Sequence, residues 1–318
     1  MFEVGCAGIV VADTFCGPLA SIPAAGQLLA VDEMLSTVGG CAANVASALG
    51  RQNVKAGVVG CVGDDHGAKI IFGELESRGV DFTQLKMTGD YPTSQTVVLV
   101  VEGEDRRFIH VFGANRAFSV DQIDRDWVAT LKALYIGGLF LMPSFNCEPL
   151  ADLFSFCRKR GVVTILDVVV PQDTLEFPGL QLCLAETDYF MPNDDESAVM
   201  TGKTDPVQQA RCFQKMGVGT TIITLGEKGA IALQGNHLWR SGVYGISAVD
   251  QSGCGDAFTG GFIAAMLGGA DVPQMLRHAS AVGASCARAV GCYEGIFTAA
   301  EAEAFVGENQ IDLEHQTL

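Results

Sequence analysis

Asp256 closes the turn Gly253-Cys254-Gly255-Asp256, and the residues around it define what its carboxylate can do. A β-like run over residues 243–249 leads into the turn, and an apolar, helix-like run over 257–267 leaves it. The two glycines let backbone amides converge with no Cβ in the way. A helix N-terminus adds unpaired N–H groups and a partial positive charge, so the turn reads as a nest for phosphate or another anion. A carboxylate at such a point repels a resting phosphate. Its fitting task is to take a proton from a hydroxyl that attacks the phosphorus. The plain alternative is an Asp that caps the helix.

Further polar groups stand where apolar runs end. Residues 2–11 read as a buried strand of a parallel sheet, with Asp13 just beyond it, at the edge where open α/β sheets bind ligands. Gly39-Gly40 opens a helix of small residues over 42–51, and Asn44, one turn in, can both donate to and accept from a hydroxyl. Pro192-Asn193-Asp194-Asp195-Glu196 follows the strand Tyr189-Phe190 and starts a helix over 196–200. Thr224-Leu225-Gly226-Glu227-Lys228-Gly229 turns one strand, 220–224, into another, 230–234.

The elements that must position these groups follow a βα rhythm, which predicts a mostly parallel sheet. Strands are expected at 55–62, 133–136 and 162–166, the last ending at Asp167, and helices at 66–78, 149–160, 206–216, 257–267, 272–288 and 299–306. Two stretches, about 14–38 and 90–113, break the rhythm with short β pieces. The second contains strands 93–101 and 106–112 joined by the hairpin turn Glu102-Gly103-Glu104-Asp105. Arg106 and Arg107 lie on this excursion, with at least one expected at the solvated surface. The tail after Gly307 is polar and expected to be loose.

Bulk composition narrows the classes. With 318 residues, 48% of them hydrophobic and 18% charged, the chain suits one large α/β domain over 1–318. A net charge of −17 argues against nucleic acid and against an anionic membrane surface. Eleven cysteines, an odd number with no C-x-x-C pair, fit free thiols in a reducing cytoplasm. No basic leader opens the chain, and every apolar run is interrupted before membrane-spanning length. Gly202-Lys203-Thr204 resembles the end of a Walker A loop, but Ser197 stands where its first glycine is required. No G-x-G-x-x-G follows the first strand, no G-x-S-x-G elbow exists, and the five histidines have no ligand spacing.

Taken together, the stations resemble the ribokinase or PfkB family of sugar and nucleoside kinases. Residues 39–51 are similar to its first signature, 250–262 to its second, Asn193-x-x-Glu196 to its N-x-x-E motif, and Thr224-Leu225-Gly226 with Gly229 to its nucleotide-side loop. The resemblance runs from Phe2 to about Val306. It implies a ribokinase-like three-layer α/β/α fold with a mostly parallel central sheet and a small β-sheet lid formed by about 14–38 and 90–113. In many members that lid also makes a homodimer. It implies an ATP-dependent kinase with Asp256 as general base and the amides of Gly253, Cys254 and Gly255 around the transferring phosphoryl group. Asp13, Gly39, Gly40 and Asn44 would bind the substrate, and Asn193, Thr224, Gly226 and Gly229 the nucleotide. Glu196 and Asn193 would organise Mg²⁺ through water, and Asp250, with carbonyls near Gly291, resembles a monovalent-cation site, for K⁺ in some members.

Departures from the pattern carry their own expectations. Gln251 stands where Thr or Pro is usual and Cys254 where Ala is common, yet an anion nest uses backbone, so neither removes a required group. Cys254 at a helix N-terminus is expected to have a lowered pKa and oxidation- or alkylation-sensitive activity, against the alternative of a buried, inert thiol. The segment Asp167-Val168-Val169-Val170-Pro171 lacks the Asn and Arg of several sugar-kinase subfamilies. The turn Gly113-Ala114-Asn115 and the Gly39-Gly40 pair favour a free sugar; a nucleoside kinase and a non-catalytic sugar or nucleotide sensor on the same fold are the alternatives. No basic cluster near the substrate stations favours a phosphosugar.

Overall fold

The computed structural model describes residues 2–104, 106–171 and 174–318. The βα rhythm produces a nine-stranded sheet whose spatial order is Leu313–Thr317, His237–Ser241, Ala230–Gln234, Thr220–Thr224, Tyr189–Phe190, Val163–Val168, Ala133–Leu139, Val4–Gly8 and Ala56–Val59. The six strands from Thr220–Thr224 to Ala56–Val59 run parallel, and the remaining three join antiparallel. Val4–Gly8 and Ala133–Leu139 are buried at every residue, so helices cover both faces and a three-layer α/β/α arrangement results. Helices Cys41–Arg51, Cys254–Leu267 and Val272–Cys286 pack against one another, while Cys147–Lys159 and Pro206–Lys215 lie on strands of the same sheet.

Helix starts are set by local side chains. Asp205 accepts the Gln208 amide ahead of Pro206, and Asp271 with Gln274 and Thr298 with Glu301 form capping boxes. A four-stranded sheet, in the order Met34–Gly39, Val11–Leu19, Gln95–Val101 and Arg107–Val111, takes in the two stretches that break the rhythm. The turn ending at Asp105 includes a residue outside the described ones. No helix among the described residues is long and apolar enough to cross a membrane.

Four expectations need correction. Residues 2–11 are not one strand: the chain leaves the main sheet after Gly8 and enters the smaller sheet at Val11. Asn115 holds that crossing, accepting the Val10 N–H and donating to the Val10 carbonyl, each at 3.2 Å. Residues 55–62 likewise divide into Ala56–Val59 and Cys61–Gly63, the latter paired with Lys86–Thr88. The apolar run 243–249 forms no strand; Val249 is exposed, and its amide goes to the Ala287 carbonyl because no neighbouring strand is there to receive it. The polar tail is not loose: Leu313–Thr317 pairs with His237–Ser241 as the edge of the main sheet, where outward side chains face water and polarity is expected.

Candidate active site

The Gly253 turn is shaped by conformation and packing together. Gly253 is left-handed, φ 71°, and a Cβ there would stand 2.6 Å from Cys292 Cβ. It ends in helix Cys254–Leu267. Gly255 differs: a Cβ on it would meet nothing within 4 Å, so its backbone faces open space where a ligand can come close.

Asp256 sits in the first turn of this helix and accepts a hydrogen bond from Asn44 Nδ2 at 2.8 Å. Burial raises its carboxyl above the usual Asp value, against the hydrogen bonds from Asn44 and Cys41. Asn44 Oδ1 is buried and has no partner among the described residues. A buried acceptor left in that state calls for a donor from a ligand.

Asp13 lies inside strand Val11–Leu19 rather than in a loop, in register with Thr37 and Thr96. Burial pushes its carboxyl up to about 6; a Thr96 hydrogen bond opposes this and the charge of Asp256 adds to it. The glycine pair accommodates this strand. A Cβ on Gly39 would fall 1.8 Å from Asp13 Oδ2, and one on Gly40, φ 88°, would fall 2.5 Å from the Ile9 carbonyl oxygen. The pair therefore makes room for Asp13 and the strand crossing.

Asn193 and Glu196 form a reciprocal capping box: Asn193 Oδ1 accepts the Glu196 amide at 2.8 Å, and Glu196 Oε2 accepts the Asn193 amide at 3.0 Å. Burial raises the Glu196 carboxyl to about 7; amides of Asn193 and Val170 oppose the shift, and the charges of Asp256 and Asp195 add to it. Thr224 is joined to Asn193 by an isolated parallel bridge, which brings the two stations together. The following loop closes with the Leu225 amide on the Gly229 carbonyl at 2.8 Å. Gly229, φ 91°, is required because a Cβ would stand 1.8 Å from the Ser241 carbonyl oxygen, whereas Gly226, φ 58°, faces open space.

Asp250 is buried and densely bonded. Its Oδ1 accepts from Ser252 N at 2.9 Å and Ser252 Oγ at 2.8 Å, and its Oδ2 accepts from Gly291 N at 2.9 Å. Arg106 Nη1 lies 3.8 Å from Oδ1. Protein donors and a guanidinium thus surround this carboxylate.

Four residues join the site without having been assigned to it from the sequence. Asp167, at the end of its strand, has ligand atoms within 4.8 Å of Asp256 and Cys41. Tyr135 Oη donates to Asp167 Oδ2 at 3.0 Å, and the Val168 amide to Oδ1 at 2.7 Å. Burial, then the charges of Glu196 and Asp256, push Asp167 well above the carboxylate range. Its signal was the one that marked Asp13, an Asp closing an apolar run. Arg106 reaches from the four-stranded sheet's hairpin to Ser252 Oγ at 2.9 Å, across 146 residues of sequence, a separation no local spacing reveals. Tyr135 reads as a core residue in sequence because its run is apolar, and Cys41 as one of the small packing residues of the helix that Gly39-Gly40 opens.

Comparison with known proteins identifies the family. The family described as pfkB family carbohydrate kinase matches residues 2–311. The chain is 27% identical to a deoxyribokinase from Salmonella typhi over 263 residues, 81% of this chain and 84% of the relative. It is 26% identical to a nucleoside kinase from Methanothermobacter thermautotrophicus over 264 residues, 83% and 82% of the two chains. Its fold superimposes on an Arabidopsis thaliana ribokinase solved with ribose and ATP, with a TM-score of 0.83 and 24% identity, over 96% of this chain and 99% of that one. The match spans nearly the whole chain, and the chain therefore belongs to the pfkB family of carbohydrate kinases, phosphotransferases that act on hydroxyl groups.

Proposed function

We propose that this kinase transfers the γ-phosphoryl group of ATP to a hydroxyl of a small, uncharged sugar. One observation carries the reading: Asp256, half-buried beside an open glycine turn, is held by an Asn44 whose own Oδ1 lacks a donor among the described residues. A sugar hydroxyl donating to Asn44 Oδ1 would bring a neighbouring hydroxyl to Asp256. Asp256 takes that proton as attack begins. The amides of Gly253, Cys254 and Gly255, the Cys254 one now in a long 3.4 Å contact with the Gln251 carbonyl, would meet the charge that builds on the phosphoryl oxygens, a contribution that grows toward the transition state. Asp13 is placed to accept from a further sugar hydroxyl. Arg106, already on Ser252, brings a cation from the four-stranded sheet to the mouth of the nest.

The acid-rich cleft supports an uncharged substrate. The charge of Asp256 raises Asp13, Asp167 and Glu196, and that of Glu196 raises Asp167, a poor setting for a second phosphate or a sugar carboxylate. Part of this set would suit Mg²⁺. Asp167 and Glu196 would hold it, with Asn193 fixing Glu196 through the capping box. Bound there, the ion would neutralise phosphate charge and the repulsion among these carboxylates. The nucleotide would lie along Thr224, Gly226 and Gly229, beside Asn193. The four-stranded sheet would act as the lid, and its edge strand, with Phe108 exposed on one face and Ile109 and Val111 on the other, suits a homodimer.

The test is an ADP-release screen over pentoses, ketohexoses, sugar acids and nucleosides with Mg·ATP. Turnover concentrated on a neutral pentose or hexose is the expected result. Turnover on nucleosides alone transfers the reading to the class of the Methanothermobacter relative, and ligand binding without any ADP release makes the protein a sensor.

A further inference from the structure

Thiols gather directly behind the anion turn. Cys254 is the first residue of helix Cys254–Leu267, Cys286 the last of helix Val272–Cys286, and the two helices pack side by side. Cys286 Sγ donates to the Ser252 carbonyl oxygen at 3.3 Å, and one turn earlier in its helix a Cβ on Gly283 would stand 3.1 Å from the Cys254 carbonyl oxygen, so the two thiols sit at adjoining ends of the packed helices. Cys292 packs against the same turn, its Sγ 2.9 Å from where a Cβ on Gly253 would stand. Cys254 is half-buried beside the exposed Gly255, whereas Cys286 is fully buried.

Cys254 differs from the core cysteines. The hydrogen bond with Cys254 and burial hold Cys286 itself far above the ordinary thiol value, so Cys286 enters as a protonated thiol. Burial pushes Cys147 up to about 11 and Cys157 to about 12, which leaves them protonated and inert. At Cys254 the hydrogen bond with Cys286 comes first and the Arg106 charge assists, and together they hold the thiol below its ordinary value in spite of burial.

We propose that Cys254 and Cys286 form a hydroperoxide-driven disulfide switch behind the phosphate nest; its effect on turnover rests on the kinase reading above. The Cys254 thiolate attacks the outer oxygen of the peroxide. An S–O bond forms, the O–O bond breaks, and sulfur's two electrons leave with the released hydroxide or alkoxide. The Cys286 sulfur then attacks the sulfenic sulfur. An S–S bond forms, the S–O bond breaks, and water departs with the Cys286 proton. Drawing the Cys254 side chain onto Cys286 turns the first amides of the helix, next to Gly253 and the Cys292 packed beside it. A dithiol reductant reverses the step.

The experiment treats the full-length protein with hydrogen peroxide and reads intact mass, a peptide map and turnover, each before and after dithiothreitol. The expected result is loss of two hydrogen masses and a Cys254–Cys286 cross-linked peptide. Both revert on reduction, and neither forms in Cys286→Ser, where dimedone instead labels Cys254. Turnover should fall about a hundredfold on oxidation, the scale of losing one amide from an oxyanion site, and recover with the mass. An unchanged mass, a cross-link from Cys254 to Cys292, or a cross-link that leaves turnover intact overturns the proposal. The mass and peptide readouts need no substrate, so they stand or fall separately from the kinase assignment.

Discussion

Asp256 is a strong candidate base because its surroundings oppose its ionisation without forbidding it. Burial raises its pKa, and Asn44 partly compensates. Asp256→Asn keeps the shape and the Asn44 contact but removes the base. Turnover should fall by about 10²–10⁴, the usual worth of a positioned general base, while calorimetry finds sugar binding within a few-fold of the parent. Near-parental ADP release in that variant would remove Asp256 from its role. Asp13 is linked to stability as well. Its folded pKa, about 6, lies above the ordinary 3.8, so its contribution is present below about pH 4 and is lost as pH rises through about 6. Asp13→Asn should therefore flatten the fall in ligand-free stability across that window by about 2 kcal/mol, after allowance for its partial exposure. Parallel pH–melting curves for the two proteins would contradict this.

At the scale of elements, the turn and the hairpin that meets it decide the geometry. Gly253 has two reasons to be glycine, its left-handed backbone and Cys292 at 2.6 Å. Gly79 shares the first reason, φ 66°, but has open space around it. Gly79→Ala should cost about 1–2 kcal/mol in urea unfolding, the strain of a left-handed residue. Gly253→Ala should cost about 3 kcal/mol or more, because overpacking is added. Equal losses would show that Cys292 yields. Arg106 ties the Gln95–Val101/Arg107–Val111 hairpin to Ser252 and Asp250. Arg106→Ala should lower kcat about tenfold to a hundredfold with a smaller change in sugar KM, since a charge-assisted contact to phosphate strengthens as transfer proceeds. A pure KM effect would make it a substrate-closing contact instead.

At the scale of the whole molecule, one outer surface stands apart. Strand Arg107–Val111 is an edge strand of the four-stranded sheet, and Phe108, 60% exposed, and Ile109, 65% exposed, face solvent. An apolar edge of this kind invites pairing with another chain. Phe108→Asp should leave the monomer's fold intact and move the sedimentation coefficient from dimer to monomer. A monomeric parent at micromolar concentration would rule out this homodimer.

Sequence order alone determined the parallel sheet, since βα units must cross over to pair, and it placed Gly253-Cys254-Gly255-Asp256 at the start of a helix, since glycines ahead of an apolar run suit a helix N-terminus. The N-x-x-E motif was legible too, although its local meaning is a capping box. The smaller sheet was visible only as a break in rhythm. What the chain order could not contain were the long-range meetings. Asn115 was legible as a turn residue, yet its side chain clamps Val10. Residues 243–249 have strand composition but no partner, and Leu313–Thr317 has a partner in spite of polar composition. Strand formation depends on a neighbour's free edge as much as on propensity. Asp167, Glu196 and Asp256 acquire raised pKa values only because three separate strand and helix ends converge. Charge repulsion and burial are properties of that convergence, and only the tertiary structure decides them.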